Sequence, residues 1–220
     1  MRRRSTLPSR VLVTAGPTRE AIDPVRYLSN ESSGRMGFAI AAAAARAGHP
    51  TTLIAGPVAL ATPVGVRRVD VVSARQMLAA CRREFRRCDV LFMAAAVADW
   101  RPRRRRREKW RKQGGRKGIA LLELVENPDI LRSLARRKGP RLVVGFALET
   151  GEGLERARSK LVRKGADYIV LNGPASLGGD RTSATILARD GVVASVRGAT
   201  KAALARRLLA LARARRGGGA

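Results

Sequence analysis

The stretch Arg10-Val11-Leu12-Val13-Thr14-Ala15-Gly16-Pro17 decides the fold. An apolar run that ends in Ala-Gly-Pro reads as a buried strand delivering the chain into a turn. Residues 34–47 follow, apolar nearly all round and stopped by Gly48, and predict a buried helix. Residues 51–55 give a second strand, closed by Gly56-Pro57. Strand, helix and strand at this spacing form a βαβ unit and set a parallel sheet. The alternation continues with a helix over 74–86 and a strand over 90–93 that runs into Ala94-Ala95-Ala96. A strand over 119–125, a helix over 128–137 with Pro128 in its first position and a strand over 141–146 come next. A helix over 154–164 and a strand over 168–171 follow. Residues 184–188 and 192–196 flank Asp190-Gly191, a hairpin signal, and residues 201–212 form a closing amphipathic helix. The expected class is α/β: a Rossmann-like, doubly wound, mostly parallel sheet with a C-terminal antiparallel hairpin. The expected boundaries are a basic tail over 1–9, a single domain over 10–213 with a mobile basic loop at 101–118, and a disordered tail over 214–220.

Composition narrows the function. A chain of 220 residues with 45% hydrophobic residues can bury a core. Its longest uninterrupted apolar run, residues 38–45, is far short of a membrane span. The basic N-terminus is followed by no apolar stretch, so no secretory signal is expected and a cytoplasmic protein is. Two cysteines and one histidine exclude a disulfide scaffold, a Cys/His zinc cage and chemistry that needs two imidazoles. Cys81 and Cys88 read as reduced thiols of one helix, and His49 as a loop residue.

The formal net charge of +28 is unevenly placed. Residues 1–10, 101–117 and 201–220 hold most of it, and the remaining body is mildly basic. Aromatics make up only 4% of the chain, and none interleaves with the arginine run at 103–107. With no helix-turn-helix, zinc-finger or RNP pattern, this points away from a nucleic-acid partner. Arginine outnumbers lysine by 38 to seven. Where arginine is the default cation, a lysine marks a place that needs a compact point charge rather than a planar fork. The seven are Lys109, Lys112, Lys117, Lys138, Lys160, Lys164 and Lys201.

In doubly wound sheets ligands bind beyond the carboxyl ends of the strands. The loops at 15–34, 94–117 and 146–153 are therefore the candidates. A dinucleotide oxidoreductase is the first alternative. The G-x-G-x-x-G fingerprint is missing, however, and the second strand ends in Ala55-Gly56-Pro57, where a ribose-binding acid is expected. The first loop ends in Ser32-Ser33-Gly34-Arg35-Met36-Gly37 at a helix start. Hydroxyls, free N–H groups and the positive helix end suit a phosphate chain. A serine N-cap with glycines for close packing accounts for the same residues.

Several segments together carry a resemblance. They are Val13-Thr14-Ala15-Gly16-Pro17-Thr18-Arg19-Glu20, Asp23-Pro24-Val25-Arg26-Tyr27, Ser29-Asn30-Glu31-Ser32-Ser33-Gly34-Arg35-Met36-Gly37 and Ala94-Ala95-Ala96-Val97-Ala98-Asp99-Trp100. Glu108-Lys109-Trp110-Arg111-Lys112, Asn127-Pro128-Asp129-Ile130, Gly145-Phe146-Ala147-Leu148-Glu149-Thr150 and the pair Lys160 and Lys164 continue it. The chain resembles the phosphopantothenate–cysteine ligase family, the synthetase half of bacterial coenzyme A fusion proteins, from residue 11 to about 200. Without the decarboxylase half it reads as a standalone ligase.

The resemblance implies a CTP-dependent reaction. An acyl-cytidylate of 4′-phosphopantothenate forms, pyrophosphate leaves, and cysteine displaces CMP to give the amide. It further implies magnesium with the nucleotide, no flavin or NAD, and a homodimer without membrane or nucleic-acid partners. Anionic substrates need a dense cationic site, whatever the family. By residue, the resemblance places Asn30, Arg26 and Lys109 in catalysis. It places phosphate groups at Gly16, Ser32, Ser33, Gly34 and Met36, and nucleotide approach at Ala95 and Ala96. Asp99 is assigned to the nucleotide or its magnesium. Asn127, Pro128, Asp129, Ile130, Phe146, Lys160 and Lys164 are assigned to the CTP pocket. Taken singly, each has an ordinary reading: Phe146 as core, Asp99 as a strand-end cap, Asn127-Pro128-Asp129 as a helix start, Lys160 and Lys164 as a solvated helix face. The chain departs from the family at Arg111, at Trp100, and at Gly173-Pro174-Ala175 with the loop that follows.

Overall fold

A computed structural model of the chain describes residues 8–111, 120–149, 153–176 and 178–217. Chain order gives β1 (Val11–Ala15), β2 (Arg19–Ala21), β3 (Tyr27–Ser29), α1 (Arg35–Arg46), β4 (Thr51–Ala55) and β5 (Val66–Asp70). Next come α2 (Ala74–Phe85), β6 (Val90–Met93), β7 (Trp100–Pro102), β8 (Leu124–Glu126), α3 (Ile130–Ala135) and β9 (Leu142–Leu148). The chain closes with α4 (Gly153–Lys164), β10 (Tyr168–Asn172), β11 (Arg181–Ala188), β12 (Gly191–Thr200) and α5 (Lys201–Gly217).

Eight strands form one sheet in the order β12-β11-β10-β9-β6-β1-β4-β5. The six strands from β10 to β5 are parallel, and β11 and β12 pair antiparallel at the edge. This is the doubly wound Rossmann order, with its switch point between β1 and β6, and the expected fold class holds. Alternation along the strands splits the core. Val11, Val13 and Phe92 pack with Phe38, Ile40, Leu204 and Leu208 of α1 and α5. Leu12, Leu91 and Val143 face Met77, Leu134 and Leu161 of α2, α3 and α4. Helix α1 lies against β1 because Gly37 has no side chain: a Cβ there would sit 2.5 Å from Ala15 Cβ and 2.8 Å from the Thr14 carbonyl.

Some expectations change. The segment after β1 is not an open loop; it contains the small antiparallel ribbon β2–β3. The 119–125 strand is shorter and shifted: β8 pairs with β7 outside the main sheet. Pro128 precedes α3 rather than opening it. Asp129 is the N-cap, its side chain accepting from Arg132 N–H at 2.9 Å. Cys88 lies past the end of α2, although both thiols are free and buried. Burial pushes both cysteine pKa values up to about 12, so neither thiol supplies a nucleophile near neutrality. Helix α5 runs to Gly217, past the expected boundary at 213. Lys112, Lys117 and Thr150, with the far part of the 101–118 loop, lie outside the described residues. No helix among the described residues is long and apolar enough to cross a membrane.

Candidate active site

The loops leaving β1 and β6 meet at the switch point. Pro17 and Ala96 form a bridge, Ala96 N–H donates to the Gly16 carbonyl at 2.9 Å, and Thr18 N–H donates to the Ala96 carbonyl at 3.2 Å. Two threonine hydroxyls complete the zipper: Thr14 Oγ1 accepts from Ala95 N–H at 3.2 Å, and Thr18 Oγ1 accepts from Ala98 N–H at 3.0 Å. The N–H groups of Ala95 and Ala96 are thus spent inside the protein. Their small side chains offer a ligand space, not backbone donors.

Above this zipper stands the β2–β3 ribbon. Glu20, buried at 4% exposure, reaches under it to accept from Ala74 N–H at the start of α2, at 2.8 Å. Arg26 and Asn30 project from the ribbon, and both are exposed. Asn30 Nδ2 donates to the Ala96 carbonyl at 3.3 Å, which leaves its amide oxygen and second hydrogen for a ligand. The Arg26 guanidinium pairs with Asp23 at 2.8 Å and donates to the Trp110 carbonyl. Lys109, next to Trp110, is exposed, and no contact joins it to Asn30 or the serines among the described residues.

Helix α1 points its amino end at the same place. Its N-cap is Gly34, at φ +74, with no side-chain cap. That left-handed conformation favours glycine. Ser32 Oγ accepts weakly from Gly34 N–H at 3.4 Å, so the serine N-cap alternative fails. The first-turn N–H groups of α1 receive no side chain, which is the condition for anion binding at a helix end. Ser32, Ser33 and Met36 are half-buried beside it, and Gly16 is buried.

A second cluster lies at the carboxyl ends of β6 and β9, neighbours in the sheet. Asn127 is tied down by its amide: Nδ2 donates to the Ala98 carbonyl at 2.9 Å and Oδ1 accepts from Arg101 at 3.4 Å. Its backbone N–H reaches the Asp99 carbonyl at 2.7 Å. Asn127 thus ties the start of α3 to the strand end after β6. Ile130 is core, at 3% exposure. Asp129 caps α3 with one oxygen and pairs with Lys164 through the other. Lys160 Nζ donates to the Phe146 carbonyl at 2.8 Å. Burial, then the charge of Lys164, push the Lys160 pKa down, against the pull of Glu149, Asp99 and Asp129. The two lysines share one face of α4 but differ in their partners: Lys164 is paired with Asp129, and Lys160 keeps two donors. Phe146 is half-buried and packs on the α1–α5 side of the core.

The lysine bias has a structural half as well. Lys138 bridges Asp167 at 2.6 Å and the Gly165 carbonyl at 3.1 Å. Lys201, at 8% exposure, donates to the Ser176 and Gly179 carbonyls and fastens the divergent loop after β10. One other feature leads away from this end. A cavity of about 930 Å³ lined by Arg10, Arg67 and Arg87 lies at the amino ends of β1 and β4. At β4, Gly56 approaches Pro17 so closely that a Cβ would lie 1.8 Å from its carbonyl oxygen. No ribose-binding acid stands there. Sequence reasoning quoted Thr14, Thr18, Glu20 and Asp23 without giving them roles. Their burial is the signal, and a single sequence does not display it.

The family described as DNA/pantothenate metabolism flavoprotein C-terminal domain matches residues 7–214. The chain belongs to that family. As such a C-terminal domain, it is 50% identical over 164 residues to the coenzyme A biosynthesis bifunctional protein CoaBC of Vibrio cholerae, covering 74% of this chain and 41% of that protein. It is 41% identical over 214 residues to CoaBC of Mycobacterium bovis, covering 91% of this chain and 51% of that protein. The chain thus spans between two fifths and half the length of these curated relatives. A crystal structure of the C-terminal domain of CoaBC matches with 38% identity and a TM-score of 0.81, covering 97% of this chain and 98% of that one.

Proposed function

We propose that the chain joins 4′-phosphopantothenate to cysteine at the expense of CTP, as a homodimer in the cytoplasm. The uncapped amino end of α1, facing the Asn30 ribbon across the switch point, carries this reading. The carboxylate oxygen of phosphopantothenate attacks the α-phosphorus of CTP. The acyl–phosphate bond forms, the α–β bond breaks and pyrophosphate leaves. The cysteine amine then attacks the acyl carbon; the C–N bond forms, the bond to CMP breaks, and the amine releases its proton. A carboxylate is a poor electrophile until it carries such a leaving group, so the enzyme's work is positioning and charge stabilisation. The α1 N–H groups and Lys160 hold phosphate oxygens. Arg26 and Lys109 neutralise charge on the reacting groups. Asn30, anchored on the Ala96 carbonyl, offers its remaining hydrogen to the acyl oxygen as charge develops there.

Among the described residues no group of three or more His, Cys, Asp or Glu side chains could hold a metal ion. Asp99 is exposed and acts on Lys160. One carboxylate fits a magnesium that arrives with the triphosphate, because that ion keeps water and phosphate ligands and needs no protein cage. When bound, it neutralises phosphate charge. Family membership and the bifunctional relatives' place in coenzyme A biosynthesis support the substrate.

The test uses the purified chain with CTP or ATP, magnesium, 4′-phosphopantothenate and cysteine. Pyrophosphate release should require phosphopantothenate, and amide should appear only with cysteine. Absence of affinity for any magnesium–nucleoside triphosphate by calorimetry would sink the proposal.

A further inference from the structure

We propose that Asp23 is the positioning residue that closes the described part of the basic loop, residues 103–111 and here the flap, onto the site, fastening Trp110, and with it Lys109, to the ribbon that carries Arg26. The inference rests on the ligase reading only for what the flap closes over.

Asp23 is 2% exposed, between half-buried Ile22 and exposed Pro24, Val25 and Arg26. One carboxylate oxygen serves the ribbon's own turn, accepting from Val25 N–H at 2.8 Å and Arg26 N–H at 2.9 Å. A local turn needs nothing more. The other oxygen does different work. It accepts from Trp110 N–H at 3.0 Å, across 87 positions of sequence, and pairs with Arg26 Nη2 at 2.8 Å. The same Nη2 donates to the Trp110 carbonyl. The flap peptide is therefore gripped at both its N–H and its C=O, by a carboxylate and by the guanidinium that this carboxylate aims. Arg26 spends one nitrogen on this grip and keeps the rest of its fork for a ligand.

Two further ties align the flap. Arg106 N–H donates to the Ile22 carbonyl at 2.9 Å, and the Arg106 guanidinium lies 4.2 Å from the Trp110 ring centroid. The charge state agrees with the geometry. Burial pushes the Asp23 pKa up, but the hydrogen bonds from Trp110, Val25 and Arg26 and the Arg26 charge outweigh it. The net value falls to about 2, so the carboxylate is ionised wherever the enzyme works.

Amide hydrogen exchange on the unliganded chain tests the latch. Asp23→Asn places an NH2 among donors. Trp110→Pro deletes the flap-side N–H together with the ring and leaves the ribbon's own bonds to Asp23 intact, which keeps the test open if the first variant folds poorly. Trp110→Ala keeps the N–H and loses only the ring. Loss of charge-assisted bonds predicts exchange of the 103–111 segment faster by roughly ten- to a hundredfold in Asp23→Asn. Trp110→Pro should speed exchange of the Arg106 N–H comparably, while Trp110→Ala shifts it by about threefold or less. Exchange in β1 and β4 should match wild type, which a general loss of structure would not permit. That pattern supports the latch whether or not the wild-type chain makes amide. Segment exchange within about twofold of wild type in both Asp23→Asn and Trp110→Pro overturns it, even in an active ligase. In an active enzyme, Asp23→Asn should lower kcat at least about tenfold. Undiminished kcat with accelerated exchange would also overturn the positioning role.

Discussion

Replacing Lys160 by Met separates what the site needs from what the fold needs. Lys160 leaves α4 with its Nζ on the Phe146 carbonyl at 2.8 Å, and two donors remain. A charge-assisted hydrogen bond to phosphate is worth about 1.5–3 kcal/mol, so losing one lowers CTP affinity by about ten- to 150-fold. Stability should hardly move. Met keeps the apolar stem, and the change removes a buried cation that sits beside Lys164. Against that gain stands a Phe146 carbonyl left without its donor, about 1 kcal/mol. The two nearly cancel. The pH dependence has a definite sign. The folded-state pKa is lowered, so the destabilisation by the charged lysine is fully present below that pKa. It disappears as pH rises from there toward the unfolded value of about 10.4. Wild type should therefore gain stability relative to Lys160→Met as the solution becomes alkaline. Calorimetric titration with magnesium–CTP and thermal melts across the alkaline range read both effects. Unchanged affinity, or a stability loss of about 3 kcal/mol or more, would show that the lysine is a structural pin like Lys138 and refute the reasoning.

Asn30→Asp sets a carboxylate against the Ala96 carbonyl and removes a donor. Pyrophosphate should still form while the acyl-cytidylate accumulates, with amide formation slowed by about a hundredfold or more; mass spectrometry of quenched reactions follows the intermediate. Lys109→Gln should slow steady-state turnover by roughly ten- to a hundredfold, and a wild-type rate would remove Lys109 from catalysis. Gly37→Ala drives a methyl into Ala15 and the Thr14 carbonyl. It should cost about 1–3 kcal/mol, seen as a melting midpoint lower by several degrees.

Periodicity revealed the inner strands because they are buried on both faces: β6 reads as an unbroken apolar run, and β1 and β4 nearly so. It did not reveal β5, Val66-Arg67-Arg68-Val69-Asp70, an edge strand with exposed Arg67 and Asp70. Nor did it reveal β2 and β3, three residues each and too short for any period. The site followed the same division. Motif residues that must stay chemically free, Asn30 and Gly34, stood out by type. Thr14, Thr18, Glu20 and Asp23 act only through partners distant in the chain. Asn127 and Ile130 are neighbours in one motif, and only packing distinguishes the tie made by the first from the core side chain of the second.

The β2–β3 ribbon has one last consequence. Two strands of three residues are not stable alone in water. This pair rests on the rest of the domain through Glu20 at the head of α2, Arg19 N–H on Val72 and Ser29 on Thr18. Arg26 and Asn30 thus ride on a lever with a polar fulcrum at the amino end of α2. A change at Ala74 or Ser73 that slackens that fulcrum would tilt both groups at once, from more than forty positions away in the chain.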